Sequence, residues 1–253
     1  MLAAGVDIGS RTIGFVLLDC DSGELVHSDI IDSSYDPIGR AQEYVGRFKY
    51  DKIVATGYGR HAANANFADA VITEIKAYAR GARFVMPQVR TILDIGGQDT
   101  KTIALSDDGI VSEFQMNEKC AAGTGKFMEV MAVALGYSLE EFTQAPLQAS
   151  AKPVKITSMC AVFAESEVVS LLNSGCPRAD VANAVLDSVA ERAAGMLQRM
   201  GVNSPALFAG GGAHNHCLKD KIAALIGVDL LVPDQPQLIG AIGAACEARR
   251  LLL

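Results

Sequence analysis

The chain reads as an α/β protein of two domains, each a mixed sheet carrying helices, and an internal echo is the first reason for that reading. AAGVDIGSRTIGFVLLD gives an apolar run, an Asp-x-Gly turn and a second apolar run, and RTILDIGGQDTKTIALSDDG repeats the pattern at 90–109. Self-similarity of this kind points to two related halves. The second reason is the change after Asn117, where short apolar runs give way to longer helical patterns. The third is PALFAGGGAHN, an apolar strand entering a triple-glycine turn late in the chain.

Taken in order, 3–10 and 12–19 predict two short strands around a tight Gly-Ser-Arg turn, and DKIVATGYG a further strand ending in a glycine turn. Ala70, Ile72, Ile75 and Ala79 are spaced for one face of a helix over 68–80. The second strand pair ends in an Asp107-Asp108-Gly109 hairpin signal. Helices follow over 122–135, over 160–172 with a stop near Asn173-Ser174-Gly175, and over 178–201. The tail PQLIGAIGAACEARRLLL is a small-residue helix whose last turn carries arginines, as the helix dipole favours. Its GxxGA spacing implies close packing on the sheet. No low-complexity linker interrupts the chain, so the halves are expected to be tightly joined: 1–88 with 235–253 as the first domain, 89–234 as the second.

Composition excludes several functions. Half of the 253 residues are hydrophobic and the net charge is −7, which argues against a nucleic-acid partner and its basic face. No apolar run is long enough to span a membrane, and MLAAGVDIGS lacks the basic start of a secretory signal. A cytoplasmic location is therefore expected. Thiols are kept reduced there, so the six cysteines are not read as structural disulfides, and no C-x-x-C pair suggests a zinc site within one chain.

Three glycine loops follow apolar strands: 7–12 (DIGSRT), 94–101 (DIGGQDTK) and 210–215 (GGGAHN). Glycine lets backbone N–H groups approach phosphate oxygens. In this reading Gly9, Gly96, Gly97, Gly210, Gly211 and Gly212 cradle phosphate, and Ser10 and Thr12 add hydroxyls. Asp7 and Asp94, at the ends of the first two loops' strands, are placed to hold a hydrated Mg²⁺. One such turn alone is usually only a hairpin; three in this order are harder to assign to turns. A dinucleotide site is not supported, because Asn215 stands where the last glycine of that fingerprint belongs. CAAGTGKF is no P-loop either: Cys120 replaces its first glycine and Phe127 its Ser/Thr.

Order and spacing of the loops resemble the superfamily of sugar kinases, actin and heat-shock chaperones. DIGGQDTK, NEKCAAGTGKF, SMCAVFAESEV and FAGGGAHN together resemble the ATP-dependent activators of 2-hydroxyacyl-CoA dehydratases and the related benzoyl-CoA reductase ATPase subunits, over essentially the whole chain. The resemblance implies two ribonuclease-H-like, actin-like ATPase domains clasping ATP or ADP with Mg²⁺ in the cleft. It also implies a homodimer with one 4Fe–4S cluster between its subunits, and transfer of single low-potential electrons from a ferredoxin or flavodoxin to a partner iron–sulfur enzyme: a 2-hydroxyacyl-CoA dehydratase, a benzoyl-CoA reductase or a related double-cubane reductase. Such a cluster usually takes four thiolates. Cys120 and Cys160 stand before comparable helical patterns, so two chains on a two-fold axis would supply four. Helix N-termini there would stabilise an anionic cluster. Cys20, Cys176, Cys217 and Cys246 read as buried small hydrophobes.

Other residues keep two readings. Lys126 is a nucleotide contact or a solvated lysine, and Lys101 touches phosphate, pairs with Asp99 or faces water. Glu165 and Glu167 read as exposed helix carboxylates, with ribose contact the minority alternative. His214 and Asn215 shape the third loop. Gln237 sits where the family motif approaches the adenine, and Gln98 or an aspartate would orient the attacking water. The activators often carry a lysine where this chain has Gly14; Arg11 would then neutralise the terminal phosphate with a different geometry. The rivals are a small sugar or acid kinase of the same fold without a cluster, and a non-enzymatic ATP-dependent switch with Cys120 and Cys160 merely packed.

Overall fold

The computed structural model describes residues 1–150, 154–158 and 160–253. The chain divides into two compact units, Met1–Ile92 with Leu105–Glu113 and Pro233–Leu253, and Leu93–Ala104 with Phe114–Val232.

The first unit contains β1 (Leu2–Ile8), β2 (Thr12–Asp19), β3 (Leu25–Asp32), α1 (Pro37–Val45), β4 (Lys52–Thr56), α2 (Arg60–Asn66), β5 (Ala70–Val71) and α3 (Glu74–Val85). Its sheet runs β3-β2-β1-β4-β5, with β1 antiparallel to β2 and parallel to β4. Central β1 is apolar on both faces because both are covered. Ala4, Val6 and Ile8 join Ile13, Phe15, Ile53, Ala55, Ala41 and Val45 in one core. The other face meets the C-terminal helix, which takes the label α9 (Ile239–Leu252) in chain order. A Cβ on Gly5 would lie 2.1 Å from the Ala241 carbonyl oxygen, and one on Gly243 would lie 1.8 Å from that of Ala77 in α3. The small residues of α9 are therefore where helix backbone meets strand and helix backbone directly.

The helix expected over 68–80 begins later. Ala70–Val71 pairs with β4 as β5, Thr73 remains extended, and the helix proper starts at Glu74 and continues to Val85. The β-branched pair Val71-Ile72 favours the sheet, and Glu74 suits the first turn of the helix.

The second sheet runs β10-β9-β6-β7-β8, built from β6 (Thr91–Ile95), β7 (Thr100–Leu105), β8 (Val111–Asn117), β9 (Ala206–Ala209) and β10 (Leu230–Leu231). The helices of the second unit are α4 (Gly125–Ala134), α5 (Leu139–Gln144), α6 (Ala161–Asn173), α7 (Arg178–Met200) and α8 (His216–Ile226). Leu93, Ile95, Phe127, Met131, Phe142, Val185, Val189, Leu197, Phe208 and Ile222 form its core. α7 supplies the largest share of that core, with twelve buried residues along its length.

Candidate functional site

In the first unit the β1–β2 turn closes on itself, the Gly9 N–H donating to the Thr12 carbonyl at 3.0 Å. Ser33, following β3, braces it: its hydroxyl donates to the Gly9 carbonyl at 2.9 Å and its N–H to that of Arg11 at 3.0 Å. Ser10 and Arg11 are exposed at the tip. A Cβ on Gly57 would fall 2.3 Å from one Asp7 carboxylate oxygen, and a Cβ on Gly240 2.0 Å from the other. The Asp7 carboxylate thus lies against the first turn of α9, where a helix N-terminus favours negative charge. Gln237 lies in the 3-10 turn Pro236–Leu238 just before α9. A Cβ on Gly14 would lie 2.9 Å from Leu238 Cδ2, so a long side chain at position 14 would press on the start of α9.

The second unit repeats the construction. The Gly96 N–H donates to the Asp99 carbonyl at 2.9 Å, as Gly9 does to Thr12. Asp94 is fully buried, and Lys101, 3% exposed, sits 3.2 Å from its carboxylate and 2.5 Å from that of Asp99. Of the readings left open for Lys101, the structure shows the ion pair. Gln98 is exposed at the tip of the loop. The third loop is brought directly to the second: with φ +81, Gly210 would place a Cβ 2.4 Å from the Ile95 carbonyl and 2.5 Å from an Asp94 oxygen, and Gly212 would place one 2.7 Å from Ile95 Cβ. Gly211–His214 form a 3-10 turn, and buried Asn215 caps α8 by accepting from the Leu218 N–H at 2.9 Å.

Sequence reasoning passed over the counterpart of that third loop. In the first unit, Gly57, at φ +83, would put a Cβ 2.6 Å from the Ile8 carbonyl, and Gly59 would put one 2.6 Å from Ile8 Cγ2. Thr56-Gly57-Tyr58-Gly59 therefore stands to Asp7-Ile8 as Gly210–Gly212 stands to Asp94-Ile95. The signal was present as a second G-x-G after an apolar strand. Thr56 is in register with Asp7, and its buried Oγ1 has no hydrogen-bond partner among the described residues. The carboxyl ends of parallel strands such as β1 and β4 are where ligands bind in open α/β sheets.

The two cysteines differ in setting, which corrects the expectation of comparable helix starts. Cys160 is the exposed N-cap residue of α6. Cys120 is half-buried in a loop, its carbonyl accepting from Asn117 Nδ2 at 3.0 Å, and α4 begins only after Gly123 (φ +91) and the extended Thr124. The first N–H groups of a helix lack partners within it. Here those of Gly125 and Lys126 donate to the carbonyls of Gly96 and Gly97, at 2.9 and 2.8 Å. The Thr100 hydroxyl donates to the Gly123 carbonyl at 2.8 Å. The second glycine loop is thus bonded three times to the segment that carries Cys120. The Lys126 side chain points to Glu129 at 3.4 Å and is about half exposed.

The sequence pattern of the BadF/BadG/BcrA/BcrD ATPase family matches residues 4–248. The chain belongs to this family. The activator of lactoyl-CoA dehydratase from Anaerotignum propionicum is 41% identical over 256 residues, covering 98% of this chain and 97% of the relative. The solved activator of the 2-hydroxyisocaproyl-CoA dehydratase from Clostridium difficile, with bound ADPNP, superposes with a TM-score of 0.90 at 37% identity, over 99% of this chain and 95% of that one. Component A of (R)-2-hydroxyglutaryl-CoA dehydratase from Acidaminococcus fermentans gives 0.92 at 34% identity, over 99% and 98%. The resemblance read from the sequence and the actin-like ATPase fold it implied are both borne out.

Within this member of the BadF/BadG/BcrA/BcrD family, Cys20, Cys217 and Cys246 are poorer ligand candidates. Burial pushes the Cys246 thiol up to about 11, and it raises those of Cys20 and Cys217 as well. Among the described residues no three His, Cys, Asp or Glu side chains gather as a metal site. Cys120 and Cys160 are two thiols, half the number that a four-thiolate set takes. Glu165 is exposed as expected, but Glu167 turns back onto the loop before Cys160. No helix of the described residues is long and apolar enough to cross a membrane.

Proposed function

We propose that this chain is an ATP-hydrolysing one-electron donor, the activating component for a partner iron–sulfur enzyme of the 2-hydroxyacyl-CoA dehydratase, benzoyl-CoA reductase or double-cubane-cluster type. The observation that carries the proposal is the triple hydrogen-bonded joint between the glycine loop at 94–101 and the segment following Cys120. A loop that reorganises around the terminal phosphate must move Gly96 and Gly97, and the first turn of α4 with them. The names and ligand of the relatives support the same reading.

In this reading Gly9, Ser10, Thr12, Gly96, Gly97 and Gly210–Gly212 bind the phosphates, and Arg11 and Lys126 add positive charge. Asp7 and Asp94 hold the hydration shell of Mg²⁺, Gln98 orients the attacking water and Gln237 approaches the adenine. The proposed domains are 1–88 with 235–253, and 89–234. Lys101 offsets the charge of buried Asp94 and partly buried Asp99, keeping the two carboxylates compatible before the metal arrives. Phosphoryl transfer to water needs positioning and charge stabilisation, with no covalent intermediate.

Cys120 and Cys160 of two chains would hold one 4Fe–4S cluster, which when bound supplies a one-electron carrier of low potential. Exposed Val162, Phe163 and Val169 on α6, beside Cys160, support a face that a second copy covers. A ferredoxin or flavodoxin would reduce the dimer. The test is reconstitution without oxygen: iron and sulfide should approach about four per dimer. Cys120→Ser or Cys160→Ser should abolish uptake, and Cys246→Ser should leave it. Iron-free protein after reconstitution would reject the proposal in favour of a kinase.

A further inference from the structure

Glu167 lies on the second turn of α6, and its carboxylate accepts three donors from the segment preceding Cys160. The Thr157 N–H approaches its two oxygens at 2.9 and 3.1 Å, the Thr157 hydroxyl donates at 2.9 Å and the Ser158 N–H at 2.9 Å. Cys160, the N-cap of the same helix, lies between the two ends of this clamp. Ile156 packs against the core of the second unit, whereas Thr157 and Ser158, with Ser188, Glu191 and Arg192 of α7, line an open depression of about 250 Å³ and take their fixed partners from Glu167. Charge-assisted bonds from backbone N–H to carboxylate are the stronger kind.

We infer that Glu167 is a positioning residue for Cys160, fixing the backbone on the approach to the thiol against the helix that follows it. The inference rests on the proposed role of Cys160 as a ligand. Burial alone would raise the Glu167 carboxyl, yet the Thr157 and Ser158 donors outweigh it and hold the carboxyl below its ordinary value. The carboxylate form is therefore the one that fits the clamp. A thiol that must serve a shared centre from an exposed helix start needs such a constraint, since the Cys160 side chain makes no capping hydrogen bond to the first turn of α6 that would hold it.

The test begins with iron-free protein, comparing wild type with Glu167→Ala and Glu167→Gln. Two rates are read: amide exchange of Thr157 and Ser158, and alkylation of Cys160 by a neutral reagent in a Cys120→Ser background. Glu167→Ala should accelerate exchange by about tenfold or more, the factor equivalent to roughly 1.4 kcal/mol, and change the alkylation rate several-fold. Glu167→Gln, which keeps a neutral acceptor, should fall between. If Glu167→Ala fails to fold, the Glu167→Gln rates decide. In reconstituted wild type and variants, loss of iron to a chelator should accelerate in the same order. Exchange and alkylation rates within twofold of wild type would overturn the inference. A wild type that takes up no iron would instead overturn the proposed function, and the rates in iron-free protein would still judge the clamp.

Discussion

Thr100→Val tests whether the joint between the glycine loop and the Cys120 segment is energetically real. Thr100 is 2% exposed, and its hydroxyl donates to the Gly123 carbonyl at 2.8 Å. Valine keeps the shape and removes the donor, leaving a buried acceptor short of one bond, which costs about 1–3 kcal/mol. Thr102, two residues along the same strand and on the same face, is a built-in control. It is fully buried, and its Oγ1 has no hydrogen-bond partner among the described residues. Thr102→Val should therefore be neutral or stabilising by up to about 1 kcal/mol, because a desolvated hydroxyl is exchanged for a methyl group. Urea denaturation of both variants reads the difference as opposite or unequal shifts in midpoint at constant slope. Near-equal shifts would show that the Thr100 bond contributes no more than an orphaned hydroxyl does.

Gly97→Val should weaken nucleotide binding by placing a side chain on the phosphate side of the second loop, and unchanged affinity in calorimetry would show that this is not a phosphate loop. Tyr44→Phe removes a hydroxyl that donates to Asp29 and holds that carboxyl below its ordinary value. A depressed carboxyl stabilises the fold above its unfolded pKa, and that contribution is lost as pH falls through the folded value. The stability gap between wild type and Tyr44→Phe should accordingly be widest near neutral pH and close below about pH 4; a gap independent of pH in thermal melts would contradict this.

The strands that frame the site were legible because their apolar runs are covered on both faces and end in glycine. The echo between 3–19 and 91–105 proved to be two hairpins of the same construction, closed by Gly9-to-Thr12 and Gly96-to-Asp99 bonds. α1 and α5 were passed over although their start signals stand in the sequence: Asp36-Pro37 with a bond from the Gly39 N–H, and the Ser138…Glu141 capping box. Both helices are short, nine and six residues, so periodicity was too weak to find them. The role of Gly57 and Gly59 was hidden for another reason, since close backbone approach depends on which strand lies alongside. The settings of Lys101 and Glu167 depended on the same kind of information. Each is a charged side chain whose partner is fixed by a turn or helix start a few residues away, where either solvent or a ligand reads equally well in one dimension.

In the proposed function, nucleotide at the glycine loops changes the surroundings of Cys120 and Cys160. The most direct measurement is the rate at which a chelator removes iron from the reconstituted protein without nucleotide, with MgADP and with MgATP, alongside the electron paramagnetic resonance spectrum of the reduced protein. A nucleotide shifts a conformational equilibrium only by its preference between the two states. MgATP is expected to accelerate iron removal and alter the spectrum, and MgADP to do so less or differently. Equal rates and identical spectra in all three conditions would contradict the account.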